Sequence, residues 1–246
     1  MTTLYGGRRA GAGKASRVVV QESRFGRELL VDGTFASFYR PGEVATGSVW
    51  DAIALPVLAL PPARRRRILV LGLGAGSSAR VVRALAPEAT VVGVEFNAEI
   101  VRVAKTWFDL DALDIEVEIA DARAYLARSR RRFDLILEDV FVGSGDRVHK
   151  PAWLPSPGHR LAARRLSKGG ILVSNALDEA NFVAWSLREL FPAVVEIGIR
   201  DFDNRVFVGG GHGLSARSLR QAATREPCLR ETLCALSLRT IKRARR

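Results

Sequence analysis

The residues able to do chemistry fall at the ends of apolar runs. After Ile68 to Leu71 comes Gly72-Leu73-Gly74-Ala75-Gly76-Ser77. Glycines there let the backbone turn tightly and approach a nucleoside without an intervening side chain. The spacing is Gly-x-Gly-x-Gly, and Ser77 stands where a dinucleotide fingerprint needs its third Gly or Ala. That departs from a nicotinamide site and suits S-adenosylmethionine (AdoMet), which has no pyrophosphate to cradle. Glu95 ends the next apolar run, at about the twenty-residue distance from which a carboxylate reaches both ribose hydroxyls. Asp121, followed by Ala122 and Arg123, ends a third run, in reach of the adenine amino group. Its other role is to cap the next helix, and the two roles are compatible. A fourth run ends in Glu138-Asp139-Val140-Phe141, where Asp139 can orient or deprotonate an amine or hydroxyl nucleophile beside the sulfonium. In such a transfer the cofactor supplies the reactive carbon and the protein supplies alignment and electrostatics.

The candidate cofactor-binding residues are therefore Gly72, Gly74, Gly76, Glu95, Asp121, Ala122 and Asp139, with Asp139 also the candidate catalytic group. The stretch Val142 to Pro157 contains Gly143, Ser144, Gly145, Asp146, His149, Trp153 and three prolines. It is too long and irregular for an ordinary crossover and reads as a lid or acceptor-binding loop. His149 and His159 are lone loop histidines, for which a surface position outweighs catalysis. Cys228 and Cys234 have no second Cys or His pair at metal spacing, so both read as free thiols and no metal is expected.

These positions require a scaffold of strand, turn and helix in repetition. Strands are expected at Ile68–Leu71, Thr90–Glu95, Ile115–Ala120, Phe133–Asp139 and Gly170–Asn175, with a terminal antiparallel pair at Val194–Ile199 and Arg205–Val208. Helices are expected near Ser78–Leu85, Ala98–Trp107, Ala122–Ala127, Leu161–Leu166 and Glu179–Leu190. Alternation of this kind implies an α/β, doubly wound, mainly parallel seven-stranded Rossmann-like sheet. Residues 1–16 read as a flexible leader. Residues 17–60 hold a small N-terminal antiparallel β segment, with Asp32-Gly33 as its hairpin turn, and a linking helix over Val49 to Leu60. Residues 61–213 form the AdoMet-binding domain, and residues 214–246 a basic helical extension.

A length of 246 residues with 48% hydrophobic content fits one α/β domain and a small appendage. The formal charge of +12 lies in scattered arginine clusters, such as Arg64 to Arg67 and Arg130 to Arg132. No aromatic-interleaved basic stripe accompanies them, which favours a solvated surface over a nucleic-acid partner. The run Ala52 to Ala63 is interrupted by three prolines and is too short to span a bilayer, so a cytoplasmic protein without membrane contact is expected.

The order of motifs resembles the spermidine synthase-like branch of the AdoMet-dependent transferases. The resemblance runs from about Val18 to Gly210 through Leu30-Val31-Asp32-Gly33, Arg67 to Gly76, Val92-Gly93-Val94-Glu95, Ala120-Asp121-Ala122-Arg123 and Phe133-Asp134-Leu135-Ile136. It implies that Gly72, Gly74 and Gly76 line the cofactor, that Glu95 holds the ribose and Asp121 the adenine, and that the protein is a homodimer. Aminopropyltransferases of this branch carry an Asp in the glycine turn where this chain has Ala75. They carry a second acid in the loop after strand four, where this chain has Val142. Their polyamine-binding N-terminal segment appears here as Glu43-Val44-Ala45-Thr46-Gly47-Ser48, without its Tyr or His. Each lost charge-assisted contact to a cationic polyamine is worth about 1.5 to 3 kcal/mol. The expectation is accordingly methyl transfer from AdoMet to a small-molecule acceptor. Aminopropyl transfer from decarboxylated AdoMet is the alternative, and a non-catalytic or nucleic-acid-associated module the third reading.

Overall fold

The strands of this chain form two sheets. The computed structural model describes residues 1–8, 17–145 and 147–241. Strands β1 (Thr2–Arg8), β2 (Arg17–Ser23), β3 (Gly26–Val31) and β4 (Thr34–Tyr39) form a four-stranded antiparallel sheet in that order. Asp32 at φ 50° and Gly33 at φ 83° make the β3–β4 turn, the left-handed pair that a tight hairpin needs. The leader expected over residues 1–16 differs in its first half. Thr2–Arg8 is a strand because its backbone groups pair along β2, from Thr2 opposite Glu22 to Arg8 opposite Arg17. Residues 9–16 lie outside the described residues.

The linking helix α1 (Val49–Ala54) is shorter than expected and passes into a 3-10 turn over Leu55–Ala59. Pro56 lacks the N–H that an α-helix would use there. The main domain follows as β5 (Arg67–Leu71), α2 (Ser77–Leu85), β6 (Thr90–Glu95), α3 (Ala98–Trp107), β7 (Glu116–Ile119), α4 (Ala122–Arg128) and β8 (Phe133–Glu138). Then come α5 (Gly158–Ala163), β9 (Leu166–Ala176), α6 (Ala180–Leu190), β10 (Ala193–Ile199), β11 (Arg205–Gly210), α7 (Ala216–Ala223), α8 (Arg230–Leu233) and β12 (Leu236–Ile241). Helix α5 ends earlier than expected and β9 starts earlier, because Leu166 already pairs with Phe133 across an irregularity in the ladder.

The second sheet has the order β12-β10-β11-β9-β8-β5-β6-β7. Strands β9, β8, β5, β6 and β7 are parallel, while β11, β10 and β12 add antiparallel pairs. This is the doubly wound α/β architecture with one strand more than the seven expected. The extra strand, β12, comes from the extension read as wholly helical over residues 214–246. It forms because Leu236 to Ile241 pairs antiparallel along the whole of β10 from Ile199 to Val194. Residues 242–246 lie outside the described residues.

Side chains of β5 alternate between the two faces, as period-two geometry requires. Ile68 and Val70 join one buried cluster and Leu69 and Leu71 the other, all four fully buried. Each such side chain contributes about 1.5 to 3 kcal/mol of burial. Val18, Val20 and Leu29 of the small sheet belong to the first cluster, so that sheet is packed onto the main domain. Its last strand, β4, is thereby laid beside the turn after β5. No helix among the described residues is long and apolar enough to cross a membrane.

Candidate active site

Strand β5 has β6 on one side and β8 on the other, and its connections leave in opposite directions. A crevice opens at such a switch point, beyond the carboxyl ends of the strands. The turn Gly72 to Gly76 occupies it. Gly72 has φ 79°, and a Cβ there would stand 2.4 Å from the Asp139 carbonyl oxygen, so only glycine lets the turn pass β8. Gly74 has φ 55°, and a Cβ there would stand 2.7 Å from Ser37 Oγ on β4. Gly76 is the residue before α2. The Ala75 amide donates to Ser37 Oγ at 2.8 Å, and Ser77 Oγ donates to the Phe38 carbonyl at 2.8 Å. Strand β4 therefore closes one side of the glycine turn.

Glu95 ends β6 and is buried. Its Oε2 accepts from the Gly74 amide and its Oε1 from the Asn97 amide, both at 2.9 Å. Burial pushes its carboxyl above the usual range, and the amides of Asn97, Gly74 and Phe96 work against that. Each oxygen keeps a second lone pair for a hydroxyl donor. Asp121 does the bland work foreseen for it: its Oδ1 accepts from the Ala124 amide at 2.7 Å and caps α4. Its residue remains exposed on the same rim, and Ala122 beside it is buried in the second cluster.

Asp139 follows β8, tied by its amide to the Leu71 carbonyl at 2.9 Å. Its carboxylate accepts from Asn175 Nδ2 at 2.8 Å. Asn204 Nδ2 in turn donates to Asn175 Oδ1 at 3.1 Å. Burial raises the Asp139 pKa above the ordinary carboxylate value; Asn175, Lys150 and Trp50 lower it, while the neighbouring Glu138 raises it further.

Several residues here were invisible as site residues in the sequence. Glu138 is 1% exposed, and its Oε1 accepts from Lys150 Nζ at 2.6 Å. Its Oε2 accepts from Ser174 Oγ at 2.6 Å. Burial alone would push the Glu138 carboxyl up, but the Lys150 charge, helped by His159, brings it down to about 2. His159 is fully buried in α5, bonded to Ser186 Oγ at 3.0 Å and to Ser174 Oγ at 3.3 Å, which corrects its expected surface position. His149 does lie in the expected loop, where it forms a reciprocal bridge with Val142. The one available signal was the acid pair Glu138-Asp139, since two adjacent carboxylates at a strand end cannot share one environment.

Residues 68–150 match the family described as a methyltransferase domain. A protein of Bifidobacterium longum named "Probable polyamine aminopropyl transferase" is 33% identical over 132 residues, 53% of this chain and 28% of that protein. The chain spans about a quarter to a half of the length of the first curated relatives it matches. A solved structure described as a probable spermidine synthase from Corynebacterium glutamicum superposes with TM-score 0.74 at 21% identity, over 96% of this chain and 90% of that one. Coverage this wide takes in both sheets. The fold is spermidine synthase-like. A spermidine synthase in complex with the transition-state analogue AdoDATO gives TM-score 0.71 at 15% identity, over 92% of this chain and 79% of that one.

The curated relatives overturn the expectation of methyl transfer: those matched carry the name polyamine aminopropyltransferase. The expectation rested on acids absent at Ala75 and Val142. It weighed those departures above the resemblance of the rest of the chain.

Proposed function

We propose that this protein transfers the aminopropyl group of decarboxylated AdoMet to the nitrogen of a small-molecule amine. The observation that carries the reading is the Asp139 carboxylate, held by Asn175 at the end of β8 with its backbone against the glycine turn. The names of its relatives support it.

The turn suits an adenosyl donor, because Gly72 and Gly74 hold the left-handed backbone that packs it closely against the Asp139 carbonyl and Ser37, and no side chain projects from either position. In this reading Gly72, Gly74 and Gly76 line the donor, Glu95 accepts from its ribose hydroxyls, and Asp121 with Ala122 borders the adenine. When bound, the donor supplies a sulfonium-activated carbon, so that the C–N bond forms as the C–S bond breaks and its electron pair returns to sulfur. Asp139 holds the acceptor amine by hydrogen bonding and accepts the proton that nitrogen sheds. Such positioned proton transfer is worth roughly a hundredfold or more in rate. With Ala75 where the resemblance puts the acid that holds the donor's amine, and Val142 where it puts the second acid of the loop after β8, donor and acceptor each bind more weakly than in a site holding both acids, each contact being worth about 1.5 to 3 kcal/mol.

Mass spectrometry of products from putrescine, spermidine and a panel of other amines, supplied with AdoMet and decarboxylated AdoMet in turn, tests the proposal. The expected product has gained one aminopropyl group. Methylated product alone, or no aminopropyl product from any amine, overturns it.

A further inference from the structure

Lys150 is a buried cation that the reaction as described does not use. It stands twelve residues beyond Glu138, midway along the loop after β8, yet its ammonium returns to the end of that strand. Nζ donates to Glu138 Oε1 at 2.6 Å and to the Val140 carbonyl at 3.2 Å, and lies 4.0 Å from the Phe141 ring centroid. These partners are the residue before Asp139 and the two residues after it. One carboxylate, one carbonyl and one aromatic face together occupy the ammonium. The backbone is fixed as well, since the Lys150 amide donates to Glu179 Oε1 at 2.7 Å. Both side chains of the Lys150–Glu138 pair are 1% exposed. Ion pairs buried this deeply add little net stability over apolar packing, so stability alone does not account for the pair.

We propose that Lys150 is a positioning residue for Asp139, gripping the chain on both sides of it and so fixing the direction of its carboxylate. The inference rests on the reading of Asp139 as the group that handles the acceptor amine. A second effect follows from charge. The groups facing Asp139 are Glu138 on β8, Lys150 from the loop, Asn175 on β9 and Trp50 on α1. Glu138 disfavours a second negative charge, and Lys150 offsets it. His159 faces Glu138 from α5, with Nε2 3.9 Å from Oε2, and reaches Asp139 only through it.

The test compares wild type, Lys150→Met and the double variant Glu138→Gln/Lys150→Met. The double variant removes both charges together and so avoids leaving one buried and unpaired. In Lys150→Met the Asp139 carboxyl, followed by carbon NMR, is expected to titrate at higher pH, and the acid limb of kcat/KM to move with it. In the double variant the titration returns toward the wild-type position. The Asn175 side-chain amide signal shifts toward that of a free amide, and kcat stays about tenfold or more below wild type while donor Kd is unchanged. An Asp139 titration unmoved from wild type in Lys150→Met, or an Asn175 signal unmoved in the double variant, overturns the proposal. The NMR readouts need no turnover. A wild-type protein without aminopropyl transfer would sink the proposed reaction, while the titration and the Asn175 signal would still decide the role of Lys150. If Lys150→Met does not fold, the Asn175 signal of the double variant decides alone.

Discussion

On the β5–β6–β7 side of the site, carboxylates are held by backbone amides: Glu95 by Gly74 and Asn97, Asp121 by Ala124. On the β8–β9 side they are held by side chains: Glu138 by Lys150 and Ser174, Asp139 by Asn175. Backbone donors come with the turn and cannot be lost without rebuilding it. Side-chain donors can be exchanged one at a time, and in the proposed reading this is the side that meets the acceptor. It is also the side where single substitutions should do most damage.

The largest expected effect is on that side. Glu138→Gln leaves the Lys150 ammonium buried without its anion, which should cost about 3 to 5 kcal/mol of stability in urea denaturation. The sign of the pH dependence follows from the depressed carboxyl. Its stabilisation is present above the ordinary value of 4.5 and lost as pH falls toward about 2. Wild-type urea midpoints should therefore drop steeply across that window, and the variant should lack that part of the slope. Next comes Asp139→Asn, which keeps the shape and removes the charge. Single-turnover rates should fall roughly a hundredfold or more with donor affinity nearly intact. An unchanged rate would erase the distinction between the two sides.

The cofactor side should respond through binding instead. Glu95→Ala is expected to weaken calorimetric binding of decarboxylated AdoMet by about 2 to 3 kcal/mol, the range for hydrogen bonds to a charged group. The smallest effect belongs to Asp121→Ala. Loss of the α4 cap should cost about 1 kcal/mol of stability, measured by thermal unfolding. A loss of donor affinity larger than that of Glu95→Ala would reverse the ranking within this side.

The same contrast explains what could be read in the sequence. Gly72 to Gly76, Glu95 and Asp121 were legible because each sits at a strand end, and strand ends follow from apolar runs such as Ile68 to Leu71. The partners of Asp139 were not. Asn175 is thirty-six residues away and Trp50 lies in a different sheet's connection to the domain, so only folding brings them together. His159 looked like a loop residue because Ser186 and Ser174, which satisfy its ring, lie far along the chain. β12 was hidden by its composition. As an edge strand it alternates buried Leu236 with exposed Ser237 and half-buried Leu238 with exposed Arg239, and the neighbouring basic residues masked that half-strength pattern. Methyl transfer was expected because the departures at Ala75 and Val142 were weighed above the likeness of the other motifs to aminopropyltransferases.

β12 also bears on how the molecule behaves in a crowd. An open rim of unpaired amides recruits foreign strands and seeds fibrous growth. Without β12 that rim would be β10, where Val194, Val195 and Ile197 make a sticky template. With it in place the outermost strand carries exposed Arg239, clipped to Glu196. The opposite rim, β7, is four residues long and carries Glu116 and Glu118, each paired with an arginine of the α4 region. Both margins of the sheet thus end in short, charged strands that offer a second copy little to extend.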